Sequence, residues 1–155
     1  MCNAFPGALY DGKRAIAGDY SEGWTGWSGM DTLTLNVNTS IRHTRSITIG
    51  TCHAPDDWVL TPTKVEIWDT HRKVWQECAR TTINDERYGR QRVVFQCEPR
   101  YKMLRCLLGK HLCHYRTVYP TKKITIRIIH PSTLPDWHTY KGEKAWLMID
   151  EIEVK

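Results

Sequence analysis

A series of short runs in which apolar and polar residues alternate most constrains the fold of this chain. Successive side chains of a β-strand point to opposite faces, so alternation predicts strands with one buried face. The clearest run carries Ile124, Ile126 and Ile128 on one face. We predict strands at residues 32–37, 41–49, 64–68, 74–79, 92–97, 123–129 and 145–154.

These strands recur at intervals of roughly ten residues, and turn-forming residues separate them. With about eight short strands and little helix, the chain is predicted to be all-β, an eight-stranded antiparallel β-sandwich of jelly-roll type. Residues 69–73 are predicted to be a hairpin turn, and residues 52–62, 84–89 and 131–142 to be loops. Residues 100–115 have leucines at helical spacing interrupted by Gly109, which leaves a short helix or an irregular insertion open.

Length and charge limit the class of protein. A chain of 155 residues is predicted to be one domain, residues 1–155. The net charge is +5, but lysine and arginine are spread along the chain, so we expect no nucleic-acid partner. We expect no membrane partner either, because no apolar run of the length that spans a bilayer is present. The start, Met1-Cys2-Asn3, resembles an excised segment, so we expect any targeting signal to lie outside it.

The chain has six cysteines. Cys78 and Cys97 each fall inside an alternating run, which favours buried thiols acting as small core residues. An even number of cysteines in an exported domain is also compatible with disulfides, and that alternative stays open.

Seven tryptophans are the richest chemical signal. Trp68, Trp75 and Trp146 lie in strand patterns, which favours packing. Four others are predicted to lie in loops beside polar residues: Trp24, Trp27, Trp58 and Trp137. Sugar recognition needs this combination, because the apolar face of a sugar stacks on an aromatic ring while polar side chains bind its hydroxyls. The alternative is that the loop tryptophans close the ends of the sandwich, and we favour it for Trp24 and Trp27.

The sequence gives little support to catalysis. It has no phosphate-binding loop and no nucleophile elbow, and the adjacent Asp150 and Glu151 would point to opposite faces of a strand. A hard cation is more plausible, because Asp11 lies in a tight turn whose carbonyls could converge on Ca²⁺. If the two ends of the chain meet, Asp11 and Glu151 could share one ion.

Several motifs, taken in order, resemble the discoidin (coagulation factor 5/8 type C) domain, and most closely the version at the C-terminus of bacterial β-hexosaminidases. They are LYDG at 9–12, GWTGWSGMD at 23–31, DWVLTPTKVEI at 57–67, LPDWH at 134–138 and KAWLMIDEI at 144–152. The sequence departs from the family at residues 98–121, where a basic, leucine-rich segment replaces a short polar turn.

The resemblance implies a galactose-binding-like jelly roll that serves as a non-catalytic carbohydrate-binding module of a glycoside hydrolase. Its implied partners are a glycan and the catalytic domain of the same parent chain, and its implied location is extracytoplasmic. It implies a structural Ca²⁺ near Asp11 and Glu151, and ligand binding by loops at one end of the sandwich. The candidate sugar-binding residues are Trp58, Asp57, Trp137, His138 and Trp27.

Two other functions remain open at this point. The first is a structural accessory domain of the same fold, which packs on its catalytic neighbour and binds no ligand of its own. The second is a binder of protein or of an anionic polymer through the basic residues, which would show a steep dependence on salt.

Overall fold

The computed structural model describes residues 9–16, 18–39, 44–69, 72–81, 88–97 and 123–155. The predictions for residues 41–43, for most of the loop at 84–89 and for the segment 100–115 lie outside this described part. Within it the strands are β1 (Thr25–Ser28), β2 (Thr32–Val37), β3 (Ser46–His53), β4 (Lys64–Asp69), β5 (Val74–Arg80), β6 (Gly89–Gln96), β7 (Ile124–Ile129) and β8 (Trp146–Val154). A 3₁₀ turn, Pro55–Asp57, lies between β3 and β4.

The eight strands form one curled sheet in the order β1-β8-β3-β6-β5-β4-β7-β2, and neighbouring strands are antiparallel. The curl brings the β1-β8-β3-β6 half over the β5-β4-β7-β2 half. The predicted all-β, eight-stranded antiparallel sandwich is therefore confirmed. The jelly-roll topology stays a prediction. In the described part of the chain, no helix has the length and apolar character needed to cross a membrane.

The inward faces of both halves meet in one apolar core. Its fully buried side chains come from β3, β6 and β8 in one half and from β4 and β7 in the other, and they include Ile49, Phe95, Ile149, Val65 and Ile126. Each is an apolar member of a predicted alternating run. Alternation therefore identified the core face of these strands correctly, because burial on a pleated sheet repeats every second residue.

Strand β3 differs from its prediction. It runs from Ser46 to His53, whereas the alternating pattern predicted residues 41–49. Its residues pair with β6 on one side and β8 on the other, so all but its two ends are buried. Pairing on both sides extends the strand through Gly50, a residue with low intrinsic strand preference. The sequence pattern could not show this, because the extension depends on two distant partners.

Strand β1 corrects the prediction that Trp27 lies in a loop. Thr25–Ser28 pairs antiparallel with the start of β8, and Trp27 lies opposite Leu147. Trp27 packs against the main core. Gly26 lies opposite Met148, and a Cβ at position 26 would come within 2.6 Å of the Met148 sulfur. The glycine therefore leaves room for the Met148 side chain on the outer face of β8.

The prediction that Cys78 and Cys97 are buried thiols is wrong. Their sulfurs form a disulfide, and their Cα atoms are 4.3 Å apart. Ala79 pairs with Gln96, which places the two cysteines opposite each other at the end of the β5–β6 ladder. This ladder joins the two halves of the sheet and has only two residue pairs. The disulfide therefore crosslinks the sheet at the ladder with the fewest paired residues. The sequence placed both residues inward but could not show that they meet.

Candidate functional site

A tight turn at the end of β3 holds the first group of candidate residues. Pro55–Asp57 form the 3₁₀ turn, and the Trp58 N–H donates to the Pro55 carbonyl oxygen at 2.8 Å. Trp58 has a φ of 63°, in the left-handed region that bulky residues rarely adopt. The turn leaves Asp56 and Asp57 exposed. An aromatic residue held in this backbone conformation motivates a functional hypothesis for the turn.

The loop between β7 and β8 packs on this turn through His138. The His138 Nδ1 atom accepts a hydrogen bond from the Tyr140 N–H at 3.0 Å. The other ring nitrogen, Nε2, lies 3.0 Å from the Pro55 carbonyl oxygen and donates to it. A neutral imidazole has one donor and one acceptor, so this pair of bonds fixes its tautomer. His138 therefore links the two loops.

Four rings form a continuous set across the two loops, which we call the aromatic row: Trp58, Tyr140, His138 and Trp137. Adjacent ring centroids are 5.6, 6.0 and 5.7 Å apart, at interplanar angles of 53°, 42° and 59°. Trp137 is 69% exposed and Tyr140 is 57% exposed. Trp58 is half-buried because it packs against Leu60, Leu134 and Ala145. The row therefore has a supported end at Trp58 and an open end at Trp137.

Trp58 also lines an open cleft of about 430 Å³, which we call the Asp57 cleft. Aromatic and apolar side chains from the turn and from β8 form most of it, and Asp56 and Asp57 provide its charged groups. Its lining residues are Tyr20, Asp56, Asp57, Trp58, Val59, Trp146 and Met148.

Two tyrosine hydroxyls orient the carboxylate of Asp57. The Oδ2 atom accepts from the Tyr20 hydroxyl at 3.1 Å and from the Tyr88 hydroxyl at 2.6 Å. Burial raises the pKa of Tyr20, and the neighbouring Cys52 and Asp57 raise it further. The hydrogen bond to Asp57 is the largest cause of the raised pKa of Tyr88. Both hydroxyls therefore stay protonated donors at neutral pH.

Cys52 lies beneath this cluster, and its sulfur is 3.9 Å from the Tyr20 hydroxyl oxygen. It is a buried free thiol, and burial raises its pKa. A thiol with a raised pKa is a poor nucleophile, because the reactive species is the thiolate. Cys52 is therefore a packing residue under the Asp57 cleft.

The structure brings together four of the five predicted sugar-binding residues. Trp58, Trp137 and His138 belong to the aromatic row, and Asp57 lies beside Trp58 in the cleft. Trp27 is separate, because it packs against the main core and lines neither feature. The related Trp24 packs against a small cluster formed by Cys52, Ala54 and Val59.

Several residues of this region were not predicted as site residues, among them Tyr20, Tyr88, Tyr140, Trp146 and Met148. Trp146 was assigned to packing because it lies in a strand pattern. The alternation in β8 carried the missing signal, since Trp146 and Met148 alternate with the buried Leu147 and Ile149 and therefore face outward. No local signal places Tyr20 beside Asp57, because 37 residues separate them.

The two predicted calcium ligands also lie in neighbouring segments. The Gly12 N–H donates to Oε2 of Glu151 at 2.9 Å. Burial raises the pKa of Glu151, and the charges of Asp11, Asp150 and Glu153 raise it further. Two carboxylates that repel each other across adjoining segments fit a hard cation with oxygen ligands. Among the described residues, however, no group of three or more His, Cys, Asp or Glu is placed to hold a metal ion. Backbone carbonyls or water would have to complete the coordination.

Comparison with known proteins leaves the family open. No protein-family model matches the chain, and no curated protein matches it. The discoidin resemblance therefore stays a prediction that rests on the sequence motifs.

Proposed function

We propose that the chain is a non-catalytic carbohydrate-binding module that binds terminal sugars, such as galactose or N-acetylglucosamine, at the aromatic row. The observation that carries the proposal is a row of four adjacent rings with Trp137 and Tyr140 largely exposed. Exposed aromatic rings beside oriented polar groups suit a sugar, whose apolar face and hydroxyls need both.

The angles within the row favour a single terminal sugar over a flat polymer surface. A planar polysaccharide face would need coplanar rings, whereas neighbouring rings here are inclined by 42° to 59°. One ring can stack on one sugar while its neighbours contact the edge of that sugar. Shallow sites of this kind bind weakly, and we expect a Kd on the order of 0.1–1 mM, about 4–5.5 kcal/mol.

The proposal also covers the parent chain of the module, its location and a structural cation. The resemblance supports a parent chain of the β-hexosaminidase type, whose catalytic domain would add avidity to weak sugar binding. The Cys78–Cys97 disulfide supports an extracytoplasmic location, because such crosslinks persist in oxidising compartments. A structural Ca²⁺ held in part by Asp11 and Glu151 belongs to the proposal too.

Calorimetry on the 155-residue chain tests the sugar site. Galactose, N-acetylglucosamine, N-acetylgalactosamine and chitobiose are titrated into the wild type, Trp137→Ala and Tyr140→Ala. Because both rings are largely exposed, we expect each variant to fold and to lose roughly tenfold or more in affinity. Val74→Ala is the control, since it removes an exposed apolar side chain on β5, outside the aromatic row.

Absence of binding to all four sugars would overturn the proposal and favour the structural accessory domain. Binding that survives both ring substitutions would place the sugar elsewhere on the molecule.

A further inference from the structure

The Asp57 cleft has a composition that sugar stacking alone does not require. Three aromatic rings line it, from Tyr20, Trp58 and Trp146, together with the polarizable thioether of Met148. Aromatic faces carry negative electrostatic potential and attract a cation that lies within about 6 Å. The rings therefore favour a positively charged group as much as an apolar one.

The charged residues of the cleft also favour a positively charged ligand. The chain as a whole is +5, yet the charged residues that line the cleft are both acidic. In the part of the chain that the structure describes, no lysine or arginine forms an ion pair with Asp56 or Asp57. The two tyrosine hydroxyls hold Oδ2 of Asp57 without neutralising its charge. The cleft is thus an acidic, ring-lined concavity on a basic protein.

We propose that the Asp57 cleft binds an ammonium group. The inference rests on the proposed carbohydrate function, and it then specifies the ligand as an amino sugar with a free amine, such as the glucosamine units of de-N-acetylated glycans. The ammonium ion lies between the carboxylate of Asp57 and the rings of Trp58 and Trp146. The sugar ring continues from there onto the aromatic row, which shares Trp58 with the cleft.

An N-acetyl group satisfies this cleft less well. It is neutral, so it gains neither the attraction of the carboxylates nor that of the ring faces. Its single N–H can donate one neutral hydrogen bond to a carboxylate, whereas an ammonium group can donate three charge-assisted ones. The cleft therefore discriminates by charge, whereas the aromatic row discriminates little between sugars of similar shape.

Calorimetry at about pH 6, where a primary amine is protonated, tests the inference with glucosamine, N-acetylglucosamine and cyclohexylammonium. We expect glucosamine to bind the wild type roughly fivefold more tightly than N-acetylglucosamine. Asp57→Asn should abolish that preference while retaining an acceptor for Tyr20 and Tyr88. Asp31→Asn is the matched control, because it removes an exposed carboxylate that does not line the cleft.

Salt provides a second readout on the same samples. Raising sodium chloride from about 0.05 M to about 0.5 M should weaken glucosamine binding several-fold and leave N-acetylglucosamine unchanged. A matching salt dependence for both sugars would count against an ion pair in the cleft.

The outcomes separate this inference from the carbohydrate proposal. Equal or tighter binding of N-acetylglucosamine would overturn the ammonium cleft and leave the carbohydrate function standing. A glucosamine preference that persists in Asp57→Asn would also overturn it. Binding of cyclohexylammonium alone, lost in Asp57→Asn, would support an ammonium site and overturn the amino sugar as its ligand. Absence of binding by all three compounds would overturn the ammonium cleft, and the titrations with galactose and N-acetylgalactosamine would then decide the carbohydrate function.

Discussion

Arg90, which is partly exposed, and the buried Asp150 form an ion pair that joins β6 to β8 across β3, with 2.5 Å between the Arg90 Nε and Asp150 Oδ2 atoms. The Asp150 side chain is fully buried and also accepts a hydrogen bond from the Ala15 N–H at 3.0 Å. The pair lies over Gly50 of β3, where a Cβ would come within 2.0 Å of Asp150 Oδ1. One carboxylate therefore connects the N-terminal segment and two strands that are not neighbours.

Arg90→Ala should destabilise the fold by about 3–5 kcal/mol, because it leaves the buried Asp150 carboxylate without its cation. Arg92→Ala is the matched control. Arg92 lies two residues along the same strand and pairs with Glu153 of β8 at 2.7 Å, but that pair is partly exposed. Its loss should cost under about 1 kcal/mol. Urea unfolding gives both values, and similar costs for the two variants would contradict the importance of burial here.

Removing the Cys78–Cys97 disulfide should destabilise the fold by about 3 kcal/mol, the value expected when a crosslink closes a loop of this size. Urea unfolding with and without reductant measures the change in wild type and in Cys78→Ala/Cys97→Ala. The double variant should lose the part of the reductant response that the Cys78–Cys97 crosslink contributes. Cys52→Ala should keep the full response, since Cys52 is a free thiol. A wild type indifferent to reductant would show that the crosslink adds nothing.

Stability should decrease as the pH falls below about 6.5, the ordinary pKa of histidine. Burial lowers the pKa of His130, whose Nε2 lies 3.1 Å from the Leu60 carbonyl oxygen. The unfolded chain therefore binds a proton that the native protein excludes. The resulting stabilisation is complete above the pKa of His130 in the unfolded chain and is lost as the pH falls through its pKa in the folded protein. The free energy of unfolding changes by no more than about 1.4 kcal/mol per pH unit, because one proton is involved.

Urea unfolding between pH 7.5 and pH 5 measures this slope. His130→Gln should flatten it. An NMR titration of His130 gives its pKa directly even if the variant fails to fold. A His130 pKa at or above the ordinary value would overturn the explanation.

Calcium at 100 times its Kd should raise the free energy of unfolding of the wild type by about 2.7 kcal/mol, which is measured as a higher melting temperature than in EDTA. Glu151→Gln should abolish the response while its amide oxygen still accepts from the Gly12 N–H. In EDTA that variant should be at least as stable as wild type near neutral pH, since the raised pKa of Glu151 marks an unfavourable charge. Glu153→Gln is the control, and a wild type unaffected by calcium would remove the metal from the proposal.

Local sequence patterns predicted much of the strand structure. Strand β2 has the predicted bounds, and β4 has Val65 and Ile67 buried on its inward face, as expected. Alternation with Val65 and Ile67 predicts that Glu66 lies on the outer face. It lies there but is also buried, since Lys64 and Arg127 cover it, with 2.8 Å between the Arg127 Nε and Glu66 Oε2 atoms. Alternation reports the direction of a side chain, not what covers it.

Local sequence patterns also predicted part of the candidate site. Trp58, Asp57, Trp137 and His138 could be singled out, because aromatic residues beside polar residues in loops are a local pattern. That the loops touch, through the His138–Pro55 hydrogen bond and the Trp58–Tyr140 contact, depends on the packing of chain segments more than 80 residues apart. The contact of Tyr20 with Asp57 depends on that packing too.

The sequence by itself determined the all-β class, most strand positions and the residues of the core, because apolar residues recur at every second position of these strands. Only the tertiary structure decided that Cys78 bonds to Cys97, that Trp27 belongs to a strand and the core, and that Asp57 and Trp146 line one cleft. Each of these depends on strand register and on the curl of the sheet. Register and curl bring distant residues together, and no local pattern of side chains encodes the identity of a distant partner.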